Sequence, residues 1–331
     1  MRRMNKTMLA AGCLLLSGGL PAEVPPPLPA EHVTVTAMPP VNPHRVYIVD
    51  EAFDNEIDAR VHVFDGDTYR YLGQIDAGYY PSYNISPDGK TSAVGTTYFA
   101  RGSRGARTDV VEFTDNQTLA WKSEIVLPNK RAHTLPTPYN LAYSADGRFV
   151  YVAYVTPAAS FGVVDPAKGT VLGEVDTAGC VLVIASGPNR VSSICESGKL
   201  LTVTLDAQGG EASRAFSEAF FDPDTDPVFV QGIPTGNGHA FLSFLGQLHE
   251  VDFSGPQPVA RKPWSLVSEA EKGHWRTGGT QPGAISRALH RLYVPMHQGV
   301  EGSHKEGGTE IWVFDTDTHR RIARWPMAAH K

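Results

Sequence analysis

The chain reads as short hydrophobic runs separated by turns rich in glycine, proline and polar residues, and many of those runs close on an aspartate followed by a threonine. The phrase appears as Val63-Phe64-Asp65 with Thr68, Phe113-Thr114-Asp115 with Thr118, Val163-Val164-Asp165 with Thr170, and Val313-Phe314-Asp315 with Thr318. Weaker copies stand at Leu205-Asp206 and Val251-Asp252. The aspartates step by 50, 50, 41, 46 and 63 residues. Short strands repeated at this period predict an all-β fold, a β-propeller with one four-stranded blade per repeat.

Other patterns place the strands within each repeat. Arg45-Val46-Tyr47-Ile48-Val49 is a buried-strand run, followed by strands over 59–65 and 69–76. Ser86-Pro87-Asp88-Gly89-Lys90 is a tight turn, and it recurs as Ser144-Ala145-Asp146-Gly147-Arg148. A degenerate copy spans 286–291. Each such turn falls between the first and second strand of a blade, and each Asp–Thr phrase ends the third. This register predicts six blades, at 44–76, 83–127, 139–176, 181–216, 228–262 and 283–327. The longest step holds two insertions: a polar, helix-like stretch over 265–272, with Ser268 and Glu271 spaced as a capping box, and a glycine-rich loop over 297–308. Closing such a ring calls for an inner strand to complete the first blade. Residues 33–37 of the amino-terminal arm could supply it; the favoured expectation is instead a seventh blade that this sequence lacks.

Composition refines the picture at the amino terminus. Arg2, Arg3 and Lys6 precede an apolar run over 8–20 and then Pro21-Ala22-Glu23, the pattern of a secretory signal peptide over 1–22. A proline-rich arm follows over 23–43, and the propeller domain over 44–331. The full chain carries a net charge of −6, without a basic stripe, which argues against nucleic acid as a partner. Loss of the signal peptide would leave two of the three cysteines, Cys180 and Cys195. An even number in an exported protein points to a disulfide, with two separate buried thiols as the plain alternative.

Few residues announce chemistry. The sequence has no glycine-rich phosphate loop, Gly-x-Ser-x-Gly elbow, His-Glu-x-x-His or Cys-x-x-Cys. His297, Glu301, His304 and Glu306 could group around a metal, but the glycines among them favour a solvated or interfacial loop, and no metal is expected. His32, His44, His133, His274 and His330 are scattered, and Asp54, Glu56 and Asp58 read as a solvated loop. Tyr79, Tyr80 and Tyr83 lie where an outer strand hands over to the next blade, as contact residues or as packing.

Several loop motifs carry a resemblance beyond the repeat. Asn42-Pro43-His44-Arg45-Val46-Tyr47, the run from Arg104 to Glu112, Gly162-Val163-Val164-Asp165 and the paired cysteines come in one order. Glu269-Ala270-Glu271, Trp275-Arg276-Thr277-Gly278-Gly279 and the run from Arg287 to Tyr293 continue it. With these motifs the chain resembles the heavy subunits of the quinoprotein amine dehydrogenases, which act on methylamine and on aromatic amines; the 297–305 loop is similar to the aromatic amine type. The resemblance implies a seven-bladed periplasmic propeller, six of whose blades are recognisable here. It implies pairing with a small disulfide-rich light subunit in an α2β2 assembly. That light subunit would carry tryptophan tryptophylquinone and the catalytic base, turning a primary amine into an aldehyde and ammonia. Electrons would pass to a cupredoxin such as azurin or amicyanin. This chain would then be the non-catalytic subunit, with no catalytic residue or cofactor of its own. Its channel-lining aromatic maps onto Tyr79, with Tyr80 and Tyr83 beside it, and the family's intrachain disulfide maps onto Cys180–Cys195. The competing readings are a stand-alone secreted propeller that binds a partner, and a lactonase-like hydrolase using the central channel.

Overall fold

The computed structural model describes residues 38–133 and 137–327; the expected signal peptide and most of the proline-rich arm lie outside them. The described chain is all-β. The first sheet runs in chain order through β1 (Arg45–Asp50), β2 (Ala59–Asp65), β3 (Tyr71–Ile85), β4 (Thr91–Arg101), β5 (Arg104–Asp115) and β6 (Trp121–Leu127). The second holds β7 (Leu141–Tyr143), β8 (Val150–Tyr154), β9 (Ser160–Asp165) and β10 (Thr170–Asp176). The third holds β11 (Cys180–Gly187), β12 (Arg190–Cys195), β13 (Leu200–Leu205) and β14 (Glu211–Phe216). The fourth is built from β15 (Ile233–Pro234), β16 (Gly238–Leu242), β17 (Gln247–Asp252), β18 (Val259–Ala260) and β19 (Trp264–Ser265). The fifth comprises β20 (Trp275–Thr277), β21 (Ala284–Ser286), β22 (Arg291–Gln298), β23 (Glu310–Asp315) and β24 (Arg320–Pro326). Neighbouring strands pair antiparallel throughout, as a propeller of up-and-down blades requires.

Among the described residues there are five sheets, and hence five blades, which corrects the expectation of six blades in a seven-bladed type. The reason is β3, whose 15 residues run through the predicted hand-over at Tyr79, Tyr80 and Tyr83. Its first half pairs with β2 and its second with β4, so the first two expected blades join into one six-stranded sheet. The Asp–Thr phrase occurs twice within that sheet, at Asp65 and Asp115, so counting phrases overcounts blades. The helix-like stretch over 265–272 begins on β19 at Ser265 and goes on through bends and turns, with no helix. Its capping-box pair still meets: the Ser268 N–H and hydroxyl donate to Glu271 Oε2 at 3.0 and 2.9 Å.

The repeated phrase is a turn device. Asp65 Oδ1 accepts the N–H groups of Asp67 and Thr68 at 3.0 and 2.9 Å, and Asp115 Oδ1 accepts those of Gln117 and Thr118, each at 2.9 Å. Asp315 does the same for Asp317 and Thr318 at 3.1 and 2.9 Å, and those bonds help to hold its carboxyl down at about 2. Each aspartate therefore binds its own backbone two and three residues ahead, fixing the reversal from third to fourth strand. The Ser-x-Asp-Gly turns work alike: the Ser86 and Ser144 hydroxyls donate to Asp88 and Asp146 at 2.7 and 2.6 Å.

The apolar core lies between sheets. Ala93, Val111 and Phe113 of the first meet Leu141, Val150 and Val152 of the second. Phe149, Tyr151 and Phe161 meet Val183, Val191 and Leu201 of the third. Leu242 and Leu248 of the fourth meet Val294, Trp312 and Phe314 of the fifth. Alternate strand residues point to opposite faces, so a strand packed on both sides reads as an unbroken hydrophobic run, as in buried Val150–Tyr154. Cys180 and Cys195 face each other across β11 and β12, with Cα atoms 3.9 Å apart, and form the disulfide. Their N–H groups donate to Thr177 and Lys199 rather than across the pair, which marks the closer of the two antiparallel pairings.

Candidate functional site

The three tyrosines singled out in the sequence lie in the middle of β3, where it passes from one half of the first sheet to the other. Gly78 opens the passage with φ +65°, and a Cβ there would stand 2.5 Å from the Thr96 hydroxyl. Tyr80 follows in the same left-handed region at φ 43°, costly for a bulky residue. The ladder with β4 shifts register between Tyr79 and Ser82. This kinked backbone turns the Tyr79 and Tyr80 carbonyls out of the ladder.

Arg131 collects both. Its guanidinium is 1% exposed and donates to Tyr79 O at 2.9 Å, Tyr80 O at 2.8 Å, Ala132 O at 3.1 Å and the Thr97 hydroxyl at 2.8 Å. The counter-charge is Asp109, 0% exposed. It accepts from Arg107 through both oxygens at 2.8 and 2.6 Å, from the Thr97 hydroxyl at 2.8 Å and from the Arg131 N–H at 3.0 Å. Buried charges persist only when compensated and hydrogen-bonded: Asp109 is ion-paired with Arg107, and the Arg131 guanidinium is met by carbonyl and hydroxyl oxygens. Burial still lowers the Arg131 pKa to about 10, against Asp109, which supports the charge.

Over this buried network sits a half-exposed aromatic ledge. The Tyr79 ring meets Tyr80, Phe99 and His133 edge-on, with centroids 4.8, 5.5 and 5.9 Å away. The Tyr80 hydroxyl donates to Glu56 Oε1 at 2.7 Å, and this bond leads the effects that push its pKa to about 12. The Tyr79 hydroxyl is raised too, first by burial and then by Glu56. Burial, opposed by Arg131, lifts the Glu51 carboxyl to about 7, and its Oε2 is buried without a hydrogen-bond partner. Burial lowers His133, helped by Arg107 and Arg131. Tyr83 lies apart, 8% exposed, packed with Ala59, Val61, Ile75 and Val94 and bonded to the Ser92 hydroxyl at 2.5 Å.

Arg131, Asp109, Glu51, Glu56, Phe99 and His133 were not singled out from sequence as site residues. One signal was available: Arg107 and Asp109, two apart on a strand, share a face. Nothing local marks Arg131. The 297–306 loop is not part of this ledge. His297 is buried with Nε2 3.0 Å from the Ser303 hydroxyl, and His304 stacks on Phe244 at 3.8 Å. Among the described residues no group of three or more His, Cys, Asp or Glu is placed to hold a metal.

Comparison with known proteins bears on what such a ledge serves. The family model of the methylamine dehydrogenase heavy chain matches residues 42–331. The chain belongs to that family. A methylamine dehydrogenase heavy chain from Methylobacillus flagellatus is 26% identical over 327 residues, covering 96% of this chain and 81% of the relative. One from Paracoccus versutus is 29% identical over 296 residues, covering 88% and 69%. Among solved structures, the Kuenenia stuttgartiensis hydrazine synthase superimposes with a TM-score of 0.52 at 14% identity, over 82% of this chain and 84% of that one. This last likeness speaks to the propeller fold alone. Membership in the heavy chain family places the ledge in a subunit of an amine dehydrogenase complex. Among the described residues no helix is long and apolar enough to cross a membrane.

Proposed function

We propose that this chain is the heavy subunit of a periplasmic, tryptophan tryptophylquinone-dependent amine dehydrogenase, serving as scaffold and substrate-channel wall for a catalytic light subunit. The observation that supports it most is the family match over 42–331, taken with an aromatic ledge that the fold holds rigid yet leaves half open. The reaction removes two electrons from a primary amine. Water supplies the aldehyde oxygen, the nitrogen leaves as ammonia, and the electrons pass to an azurin- or amicyanin-type cupredoxin. Bound in the light subunit, the quinone supplies the electron sink.

This chain's own residues do the remaining work. Tyr79 and Tyr80 form the channel wall, fixed through their carbonyls by Arg131, while Tyr83 stays in the core of the first sheet. Phe53 and Ile57, exposed on the neighbouring loop, extend the apolar surface available to the light subunit. The ledge fits a covering role, because it offers ring edges and carboxylates while its two guanidinium groups are already engaged. Covering a reactive group excludes water and side reactions. The exported location fits the cysteine pairing and the amino-terminal sequence pattern, and the α2β2 assembly rests on the family match.

Co-expression with a cognate, cysteine-rich light chain is expected to give a complex whose chromophore is bleached by a primary amine. In that complex Tyr79→Ala should alter the preference between small and aromatic amines. A heavy chain that stays monomeric and colourless beside a folded light chain would refute the reading.

A further inference from the structure

Arg276 stands apart among the buried arginines. It is 7% exposed, yet its guanidinium donates only to the carbonyl of its neighbour Trp275, at 3.0 Å, and its Nε is buried without a partner. Arg45, buried as deeply, reaches Asn116 O and Pro39 O at 2.5 and 2.6 Å, and Arg131 spans the carbonyls of the ledge. Among the described residues no carboxylate pairs with Arg276. Glu271 is taken by Arg321 at 2.8 Å and Glu310 by Arg324 at 2.7 Å, while Glu301 and Glu306 are exposed on the 297–308 loop and form no ion pair. A buried cation with so few acceptors costs stability unless something completes it.

Arg276 faces His297 across β20 and β22, so the two side chains share one side of the sheet. His297 is 2% exposed, and the loop fixes its tautomer. The Ser303 hydroxyl donates to Val300 O at 2.7 Å, so it accepts from His297 Nε2 at 3.0 Å. Nδ1 is thereby left as a bare acceptor, and it too is buried without a partner. Its cover is backbone: a Cβ at Gly278 would stand 2.8 Å from Nδ1 and 2.2 Å from the Glu306 carbonyl. One pair of residues therefore presents unmet donors and an unmet acceptor on the same side of the sheet.

We infer that Arg276 and His297 form a site for hydrogenphosphate, with anionic oxygens on the guanidinium and the P–OH donated to His297 Nδ1. A guanidinium takes two phosphate oxygens at once. Inorganic phosphate keeps an O–H at neutral pH, sulfate has none, and a phosphate ester loses its last at about pH 6. The acceptor on His297 therefore selects free phosphate from its look-alikes. Entry requires the loop to lift from Gly278, and that loop carries glycine at 299, 302, 307 and 308. The site stands whether or not a light subunit binds.

The test titrates the purified full chain with sodium phosphate, sodium sulfate and glycerol phosphate at neutral pH. Calorimetry and melting temperature follow it, since a ligand that binds only the folded state raises the latter. Saturable phosphate binding, at least tenfold tighter than that of sulfate or the ester, is expected. Arg276→Gln should abolish it without lowering the melting temperature in phosphate-free buffer, because an incompletely bonded charge has gone. Arg276→Lys, which keeps the charge but not the fork, should weaken it about tenfold. His297→Phe should bind phosphate and sulfate alike. Sulfate or the ester bound as tightly as phosphate, no saturable phosphate binding, wild-type affinity in Arg276→Gln, or wild-type discrimination in His297→Phe would each overturn the proposal.

Discussion

Replacing Arg131 by methionine tests whether one buried guanidinium holds the ledge. Methionine approximates the volume of the stem but donates nothing. The Tyr79, Tyr80 and Ala132 carbonyls lose a donor, and only the Thr96 hydroxyl, 3.5 Å from Tyr79 O, stands near enough to compensate. Asp109 loses one of two cations but keeps both bonds from Arg107. Removing one partner from a buried charged network costs about 3–5 kcal/mol, a range that already includes the returned desolvation of the deleted group. Because Arg107 remains, the lower end applies, about 3 kcal/mol. At roughly 2 cal/mol/K per residue for the unfolding entropy, that lowers the melting temperature of a chain this long by about 4 °C. Arg131→Lys keeps a charge beside Asp109 but cannot span both carbonyls, so about half the loss is expected. Scanning calorimetry measures the shifts, and near-ultraviolet circular dichroism should report loosened tyrosines in the methionine variant. A methionine variant as stable as the wild type, with unchanged tyrosine signals, would mean that the β3 backbone holds the ledge without Arg131.

Three further outcomes are expected. Cys180 and Cys195 should resist alkylation until reduced, and the double serine variant should lose about 3 kcal/mol for a loop of 15 residues; free thiols in the folded oxidised protein would contradict this. Glu51, raised from 4.5 to about 7 mainly by burial, keeps its proton in the folded state where the unfolded chain has lost it. Stability should therefore fall as pH rises from 4.5 to about 7, by about 1–2 kcal/mol after allowing for solvent screening. Glu51→Gln should remove that slope, and parallel pH profiles would argue against a raised carboxyl. Tyr69 is 85% exposed at φ 59°, four residues after Asp65, so Tyr69→Gly should stabilise the fold by about 0.5–1 kcal/mol, read as a shift in denaturant midpoint.

What the sequence displayed and what it hid divide along a physical line. The Asp–Thr phrase and the Ser-x-Asp-Gly turn are local: each is a side chain bonding backbone within a few residues, so its signature survives in the one-dimensional pattern. The cysteine pair was legible by parity once the amino-terminal pattern was read as a signal peptide. Blade count was not, because it depends on whether β3 breaks at Gly78, and hydrogen bonding there is decided by partners on β2 and β4. The tyrosines read as a hand-over, but the positive φ of Gly78 just before them instead lets the strand kink and continue.

The ledge was half legible for the same reason. Tyr79, Tyr80 and Tyr83 stood out as a cluster of aromatics, yet Tyr83 points into the core while Tyr79 and Tyr80 do not. What separates them is the register shift between Tyr79 and Ser82, a tertiary event. Arg131 is 52 residues from the Tyr79 carbonyl it binds, and Glu56 is 24 from the Tyr80 hydroxyl, distances at which no periodicity connects them. The ledge carries local departures of kinds that also occur elsewhere in the chain: a tyrosine in the left-handed region, a buried arginine of depressed pKa and a carboxyl oxygen without a partner. Folding alone would favour none of them. Blade turns such as those at Asp65, Asp115 and Asp315 satisfy their carboxylates within their own loops, whereas the ledge is held by bonds between residues far apart in sequence, so its assembly shows only in the fold.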